Sequence, residues 1–457
     1  MSALSERNIG IIRTLVESAP DRVVGSLRQA LAETSDHSAL GGVKRLVEVE
    51  VYDRTLRNSI LQPVAPMCAG AGDDPHRLTF PSRVLGLLWR GVRNVEIDAI
   101  AVIREAADRD TPQHLVTEAQ DQITATAAAG VRAREAPEFR TAAELCDQAR
   151  PGGAEQLAAC LDIASVVRRA TPRLAEWLAH PGGETKAASR LAYRDAVTID
   201  DDAGPRFFEM LAAQMAHPWM VLRVISSVMD KPTEGYLADS EMAAFGEGLL
   251  ADIDGALRTI GGLKGDDGPP AARAAAKLVE LIVQQITEIE TSVELHRDDG
   301  WGQRVQKQRA SLAGAVEARL RDAEKAAVEA LPMFAPRNQR VRRQIPRLDA
   351  APEPRLVACA ITLLSFSDEL RAAANYGGFS SARNKMVEKL GEYLDHYVDE
   401  VLDLIRTDDV EDREVAAAFL RHAADFNHLI RGDKAGDLVR RRAHAALHPD
   451  HSHRGED

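Results

Sequence analysis

The stretch LVELIVQQITEIETSV, residues 278–293, shows the pattern that decides the fold class. Its large apolar residues recur at steps of three and four, which places them on one face of an α-helix. They are Leu278, Ile282, Ile286, Ile289 and Val293. A second helical pattern runs from Val305 to Leu331, and the break at 298–300 between the two predicts an antiparallel helix hairpin.

The composition of the whole chain favours helices. Of its 457 residues 45% are hydrophobic but only 4% are aromatic, so the core must consist mainly of Leu, Val, Ile and Ala. Alanine has the highest helix propensity, whereas strands are usually rich in β-branched and aromatic residues. The alternating run VEVEV at 47–51 is typical of a strand in isolation, but apolar residues at helical spacing on both sides favour a helix over residues 43–61. We therefore predict an all-α fold.

Proline and glycine breaks divide the chain into segments that are mostly long enough for three or more helical turns. We predict an elongated array of antiparallel helix hairpins with a separate C-terminal helical bundle. Because a single core stops growing at about 250 to 300 residues, two or three domains, or an elongated helical array, are expected. The predicted ranges are an N-terminal helical domain at 1–150, a middle helical domain at 151–335, an Arg- and Pro-rich linker at 336–354, a C-terminal bundle at 355–447 and a disordered tail at 448–457.

Charge and cysteine content restrict the class of partner. The formal net charge of -13 repels phosphate backbones and anionic membrane surfaces, so nucleic acid is not an expected partner. The longest apolar stretch, residues 356–366, is far shorter than the roughly 20 residues that cross a bilayer, so no membrane insertion is expected. The N-terminus is typical of an amphipathic helix and shows no secretion signal. The four cysteines lie far apart without a C-x-x-C pair, which argues against a zinc cluster or a disulfide framework and favours a cytoplasmic location.

Motifs of the common enzyme classes are absent from the sequence: H-E-x-x-H, the P-loop, the nucleophile elbow G-x-S-x-G and the calcium-binding loop. The segment GEGLLA at 246–251 matches the dinucleotide-binding pattern with Ala in the third place. It lies inside a predicted helix and follows no strand, so we interpret the match as accidental. No cofactor is expected.

One acidic cluster offers an alternative metal site. Residues 408–412, DDVED, have the D-D-x-x-D form in which Asp408, Asp409 and Asp412 would hold magnesium against a diphosphate. In the competing interpretation Thr407 or Asp408 caps the next helix, and the acids complement its dipole. We favour the cap, because no second acidic motif appears at a matching helix end.

The segment 336–354 stands out because it is rich in arginine and proline and poor in acids. Guanidinium groups pair bidentately with carboxylates and phosphates, so these arginines are the predicted contact for an acidic partner, a phosphoprotein or a lipid head group. They are Arg337, Arg340, Arg342, Arg343 and Arg347. The competing interpretation is a solvated linker.

Helical arrays offer extended surfaces to other proteins, and this sequence lacks the common catalytic motifs. The leading prediction is therefore a cytoplasmic protein–protein interaction module (a scaffold, adaptor or tether) without catalytic activity. One alternative is a magnesium-dependent all-α enzyme that acts on a diphosphate through the acidic cluster. Another is a sensor that holds a small ligand between helices, near the methionine-rich segment 206–229.

Overall fold

Helices make up most of the computed structural model, which confirms the predicted all-α fold. The chain divides into two compact units, Met1–Pro232 and Thr233–Asp457. None of the described helices is long and apolar enough to span a lipid bilayer. The elongated arrangement of hairpins stays a prediction. The structure describes residues 6–34, 39–68, 77–106, 111–179, 182–229, 231–335, 344–373 and 378–448.

The first unit consists of short and medium-length helices joined by tight turns. In chain order, α1 to α13 are Glu6–Ser18, Asp21–Leu31, Ala39–Ile60, Arg83–Arg93, Ile97–Ala106, Gln113–Ala133, Pro137–Ala149, Gly153–Asp162, Ala164–Ala170, Leu174–Ala179, Gly183–Ile199, Ala203–Ala213 and Val221–Val228. α3 covers the run at 47–51 and confirms that it is helical. Val47 is buried and Val49 is 68% exposed, because residues two apart lie on opposite sides of a helix, whereas they share one face of a strand.

The first three helices pack around a small apolar cluster. Val16 on α1, Val24 on α2 and Val47 on α3 form its buried centre. Only Ala19 and Pro20 connect α1 to α2, and both helices pack against α3. The C-terminal end of α1 and the N-terminal end of α2 therefore lie together beside α3.

α4, α6 and α7 approach one another closely around one aromatic ring. Phe139 on α7 is buried, and its ring lies against Gly91 on α4 and Gly130 on α6. A Cβ atom at Gly91 would come within 2.6 Å of the ring, so this approach requires a residue without a side chain. The packing fixes the position of α4.

The second unit contains longer helices and a two-stranded ribbon. In chain order, α14 to α21 are Glu234–Ala238, Ala243–Gly262, Pro269–Ser292, Gly300–Ala330, Pro354–Ala373, Ser380–Thr407, Arg413–Arg431 and Asp433–Leu447. The ribbon pairs β1, Met333–Phe334, with the antiparallel β2, Ile345–Pro346. In its register Met333 lies opposite Pro346.

The prediction that residues 278–331 form a helix hairpin is wrong in one respect. α16 and α17 carry the two apolar patterns and are joined at the predicted break, but they have little direct contact. α18 packs along both of them instead. It can do so because its stretch 356–366 is almost continuously apolar, and a helix that is apolar all round can be buried on more than one side. Ile282 on α16 and Leu364 on α18 are accordingly fully buried.

The predicted domain ranges stay a prediction, and helices on either side of two of the predicted boundaries are in contact. α7 and α8, on either side of residue 150, pack against each other, and so do α17 and α18, on either side of the predicted linker 336–354. Periodicity indicates where a helix ends, but it does not indicate which helices share a core. Of the predicted tail at 448–457, the described residues include His448 alone.

The segment 246–251 lies inside α15, which agrees with the interpretation of its dinucleotide-like pattern as accidental. Gly246 faces the indole of Trp301 on α17, and a Cβ atom there would come within 2.6 Å of ring atom Cζ2. Close packing of two helices therefore explains this glycine.

Candidate functional site

The structure describes one of the five arginines predicted to bind a partner. Arg347 is exposed, and its Nε donates to the two carboxylate oxygens of Asp349 at 3.0 and 3.1 Å. Its backbone N–H donates to the carbonyl of Pro332 at 2.9 Å, next to the ribbon. The other four, Arg337, Arg340, Arg342 and Arg343, lie outside the described residues. The binding role of this segment stays a prediction.

The acidic cluster forms helix ends in the structure. Asp408 follows the last residue of α19 with a left-handed φ of 59° and pairs with Arg413 at 2.7 Å. Asp412 caps α20, because its Oδ1 accepts from the backbone N–H of Glu414 at 2.8 Å. The prediction that Thr407 or Asp408 is the cap is therefore wrong by several residues. Among the described residues, no group of three His, Cys, Asp or Glu side chains is placed to hold a metal ion.

The methionine-rich segment contributes to a packed core. Met210 on α12 is fully buried, as are its neighbours Phe207 and Phe208. The ring of Phe208 stacks on Tyr193 of α11 with centroids 5.4 Å apart. Contacts of this kind are typical of a core that side chains fill, and they do not favour the predicted sensor site.

A cleft of about 960 Å³ lies in the first unit. Its walls come from α1, the α1–α2 connection, the C-terminal half of α3, the turn at 65–68 and one face of α4. Among the described residues that line it, the charged ones are four arginines and two acids, so this part of the lining is positive in a chain whose net charge is -13. They are Arg54, Arg57, Arg83, Arg90, Glu17 and Asp21. We refer to this feature as the arginine cleft.

Arg54 fastens the α1–α2 connection to α3. Its side chain is buried, and Nη2 donates to the carbonyls of Val16 at 2.9 Å and Ala19 at 2.8 Å. These carbonyls lie at the C-terminal end of α1, where a helix leaves acceptors without intrahelical donors. Nε donates to Glu50 at 2.6 Å and Nη1 to Asp21 at 2.5 Å. Arg54 therefore holds the wall of the cleft in place.

Arg57 lies one turn further along α3 and retains donors that the described residues do not use. It is 7% exposed, and its Nη2 donates to Asp21 at 2.6 Å and to Asn58 at 2.8 Å. Its Nε donates to Asn58 at 3.0 Å, but Nη1 has no acceptor among the described residues. A guanidinium that is removed from water needs an anion beside it. For Arg57 this anion is Asp21, which also pairs with Arg54. The carboxylate of Asp21 thus forms ion pairs with two buried guanidinium groups.

The wall formed by α4 carries two arginines two turns apart. Arg83 is exposed and Arg90 is partly buried, and neither guanidinium has a hydrogen bond or ion pair with a described residue. Gly86 lies between them on the same face, and the side-chain atom nearest to its Cβ position is Arg90 Nη1 at 3.6 Å. The guanidinium of Arg90 therefore lies over the backbone at Gly86. Trp89 of α4 donates to Asp53 of α3 at 2.6 Å, which fixes this wall relative to α3.

Cys68 lines the cleft but is not a nucleophile. The pKa of Cys68 is raised to about 12, chiefly by burial and also by Cys146, against the opposing effect of Arg57. Because a thiol attacks as the thiolate, Cys68 stays inert near neutral pH. The chemistry that the cleft offers is that of its guanidinium groups, which bind and orient anions.

The arginine cleft is not evident in the sequence. Arg54 and Arg57 are three residues apart, and Arg83 and Arg90 are seven apart, so each pair lies on one face of a helix. That spacing is a usable signal for two basic helix faces. Their meeting at one cleft depends on tertiary packing, which the spacing does not encode.

Comparisons of the chain with protein-family models, with curated proteins and with solved structures find no match. No relative therefore assigns a role to a residue of the arginine cleft. The functional conclusion depends on the geometry and charge of the cleft itself.

Proposed function

We propose that this chain is a binding protein whose arginine cleft takes a small anionic molecule. One observation carries the proposal: Arg83 and Arg90 have no acidic partner among the described residues and share the cleft with Arg57, whose Nη1 also has none. Guanidinium groups pair with carboxylates and phosphates through two parallel hydrogen bonds. A cleft lined by one sign of charge also concentrates ions of the opposite sign.

The burial of Arg57 strengthens such binding. Its side chain is already held in place and largely removed from water by the folded protein. A ligand that pairs with Nη1 therefore meets a preorganised donor and does not have to immobilise a flexible side chain. Low local dielectric also makes each charge-assisted hydrogen bond stronger than it is in water.

The test is calorimetric titration of the full chain with pyrophosphate. The double variant Arg83→Gln with Arg90→Gln should bind at least about tenfold more weakly than the wild type, because it removes charge-assisted hydrogen bonds. The matched control is Arg273→Gln with Arg297→Gln, which removes the same charge from exposed positions of the second unit. The proposal fails if the wild type does not bind or if both double variants lose the same affinity.

The interaction role of Arg337 to Arg347 is a second proposal. It is supported by the ribbon, which holds residues 333–334 and 345–346 side by side, and by the exposure of Arg347 next to it. A protein partner with an acidic surface would suit this segment. The proposed cytoplasmic location is supported by the four cysteines, all of which are free thiols.

A further inference from the structure

We infer that the ligand of the arginine cleft is a phosphorylated polyol with at least two phosphate groups, such as a sugar bisphosphate. The inference rests on the proposed function, since it specifies which anion the same cleft takes. It is carried by the size of the cleft, by the spacing of its arginines and by the chemistry of its uncharged lining.

The size of the cleft favours a molecule with a carbon framework. Pockets for drug-sized ligands measure roughly 300 to 1,000 Å³. At about 960 Å³ the arginine cleft lies near the upper end of that range. A single inorganic phosphate would leave most of the space to water, whereas a molecule with several functional groups can contact more than one wall.

The spacing of the arginines favours two phosphate groups. Arg83 and Arg90 are seven residues apart on α4, which places their Cα atoms about 10 Å apart at 1.5 Å per residue. The guanidinium of Arg90 folds back over Gly86, and Arg57 lies on the α3 wall of the same cleft. A single phosphate has too few terminal oxygens to form bidentate pairs with Arg57, Arg83 and Arg90 together. A second phosphate on the same ligand supplies the remaining acceptors.

The uncharged lining favours hydroxyl groups between the phosphates. None of the described residues on the cleft is aromatic, so a nucleotide base would lack the aromatic side chain on which bases usually stack. Thr14, Ser18, Asn58 and Ser82 instead present hydroxyl and amide groups. The hydroxyls of Thr14 and Ser18 donate to carbonyls of their own helix and so accept from the hydroxyls of a polyol. Ser82 and the amide nitrogen of Asn58 can also donate to them.

The experiment is a calorimetric titration of the full chain with four probes: fructose 1,6-bisphosphate, fructose 6-phosphate, ADP and inorganic phosphate. The bisphosphate should bind at least about tenfold more tightly than the monophosphate, because it gains a second set of charge-assisted hydrogen bonds. It should also bind more tightly than ADP, which carries two phosphates on a nucleoside. In Arg83→Gln the bisphosphate should bind no more tightly than the monophosphate, and the affinity for inorganic phosphate should stay within about twofold of the wild type. The control Arg273→Gln, at an exposed position, should change neither affinity.

The outcomes separate the inference from the proposed function. Three results would overturn the inference while the proposed function stands. The chain could bind fructose 1,6-bisphosphate and fructose 6-phosphate equally well, or bind ADP more tightly than the bisphosphate. Arg83→Gln could also still bind the bisphosphate more tightly than the monophosphate by the same factor as the wild type. Lack of binding by all four probes would overturn both. Circular dichroism of Arg83→Gln, an exposed position, verifies that the variant is folded.

Discussion

Asp21 accepts a hydrogen bond from Arg57 at 2.6 Å, which joins the first turn of α2 to the buried side of α3. The same carboxylate accepts from Arg54 at 2.5 Å, so one acid faces two buried guanidinium groups. The side chain of Asp21 is itself 56% exposed at the edge of the arginine cleft. An anion that binds Nη1 of Arg57 therefore lies close to a second negative charge, that of Asp21.

Asp21→Asn should strengthen the binding of pyrophosphate several-fold, because the amide keeps the shape of the carboxylate but removes a nearby negative charge. The melting temperature should fall by several degrees, since the buried Arg54 and Arg57 lose their shared anion and α2 loses an acid in its first turn. Asp98→Asn is the matched control, because Asp98 is an exposed acid in the first turn of α5 and does not line the cleft. It should leave calorimetric affinity unchanged. Weaker binding in Asp21→Asn would indicate that Asp21 contacts the ligand directly.

Glu209 on α12 should make the stability of the first unit depend on pH. Burial raises the pKa of Glu209 from 4.5 to about 7, against the opposing effect of Arg150 and Arg206. A carboxyl group with a higher pKa in the folded chain binds more protons there than in the unfolded chain. Its contribution to stability is therefore fully present below pH 4.5 and is lost as the pH rises to about 7.

Glu209→Gln should consequently become more stable relative to the wild type as the pH rises through this window, by up to about 3 kcal/mol. Urea unfolding at several pH values between about 5 and 8 measures the difference. Glu144→Gln, at an exposed position of α7, should show no such trend. A difference that does not vary with pH would contradict the raised pKa of Glu209.

Glu234 should stabilise the start of α17 in the second unit. Its buried carboxylate accepts from the backbone N–H groups of His296 at 2.9 Å, of Trp301, and of Gly302 at 3.2 Å. Because a buried donor left without an acceptor costs about 1 to 3 kcal/mol, Glu234→Ala should lower the free energy of unfolding by about 3 kcal/mol or more. The exposed Glu241→Ala should change it by less than about 0.5 kcal/mol in the same urea titration. A loss below about 1 kcal/mol at Glu234 would show that water replaces the carboxylate.

Replacing Arg340, Arg342 and Arg343 with Gln should weaken binding of a fluorescent polyglutamate peptide and flatten its salt dependence. Folding should remain intact, because charges in a predicted linker are expected to contribute little to stability. Fluorescence anisotropy at low and high salt measures the effect. The control replaces the exposed Arg28, Arg273 and Arg297 with Gln. If both triple variants bind the peptide like the wild type, the segment is only a linker.

The fold class was predictable because it depends on local properties. The spacing around Ile282 and the scarcity of aromatic residues both predict helices, and the structure has them. The neighbours of each helix were not predictable in the same way. α18 lies against both α16 and α17 because its apolar surface extends around the helix, and only tertiary packing decides which partners cover such a surface.

The candidate site was not predictable for a related reason. Arg337 to Arg347 stand out because they are close together in the sequence, whereas Asp21, Arg57 and Arg83 belong to three helices that lie apart along the chain. The sequence spacing shows that each basic pair, on α3 and on α4, lies on one face of its helix. Only the folding of the first unit brings these two helix faces together at one cleft.

Anomalous diffraction from crystals of the full chain soaked in selenate tests the central claim most directly. Selenate is a tetrahedral dianion like phosphate and sulfate, and its selenium can be located independently of the protein. We expect an anomalous peak within hydrogen-bonding distance of the guanidinium groups of Arg57, Arg83 or Arg90. Peaks that lie only elsewhere on the protein, while the arginine cleft is open and filled with solvent, would contradict an anion-binding function.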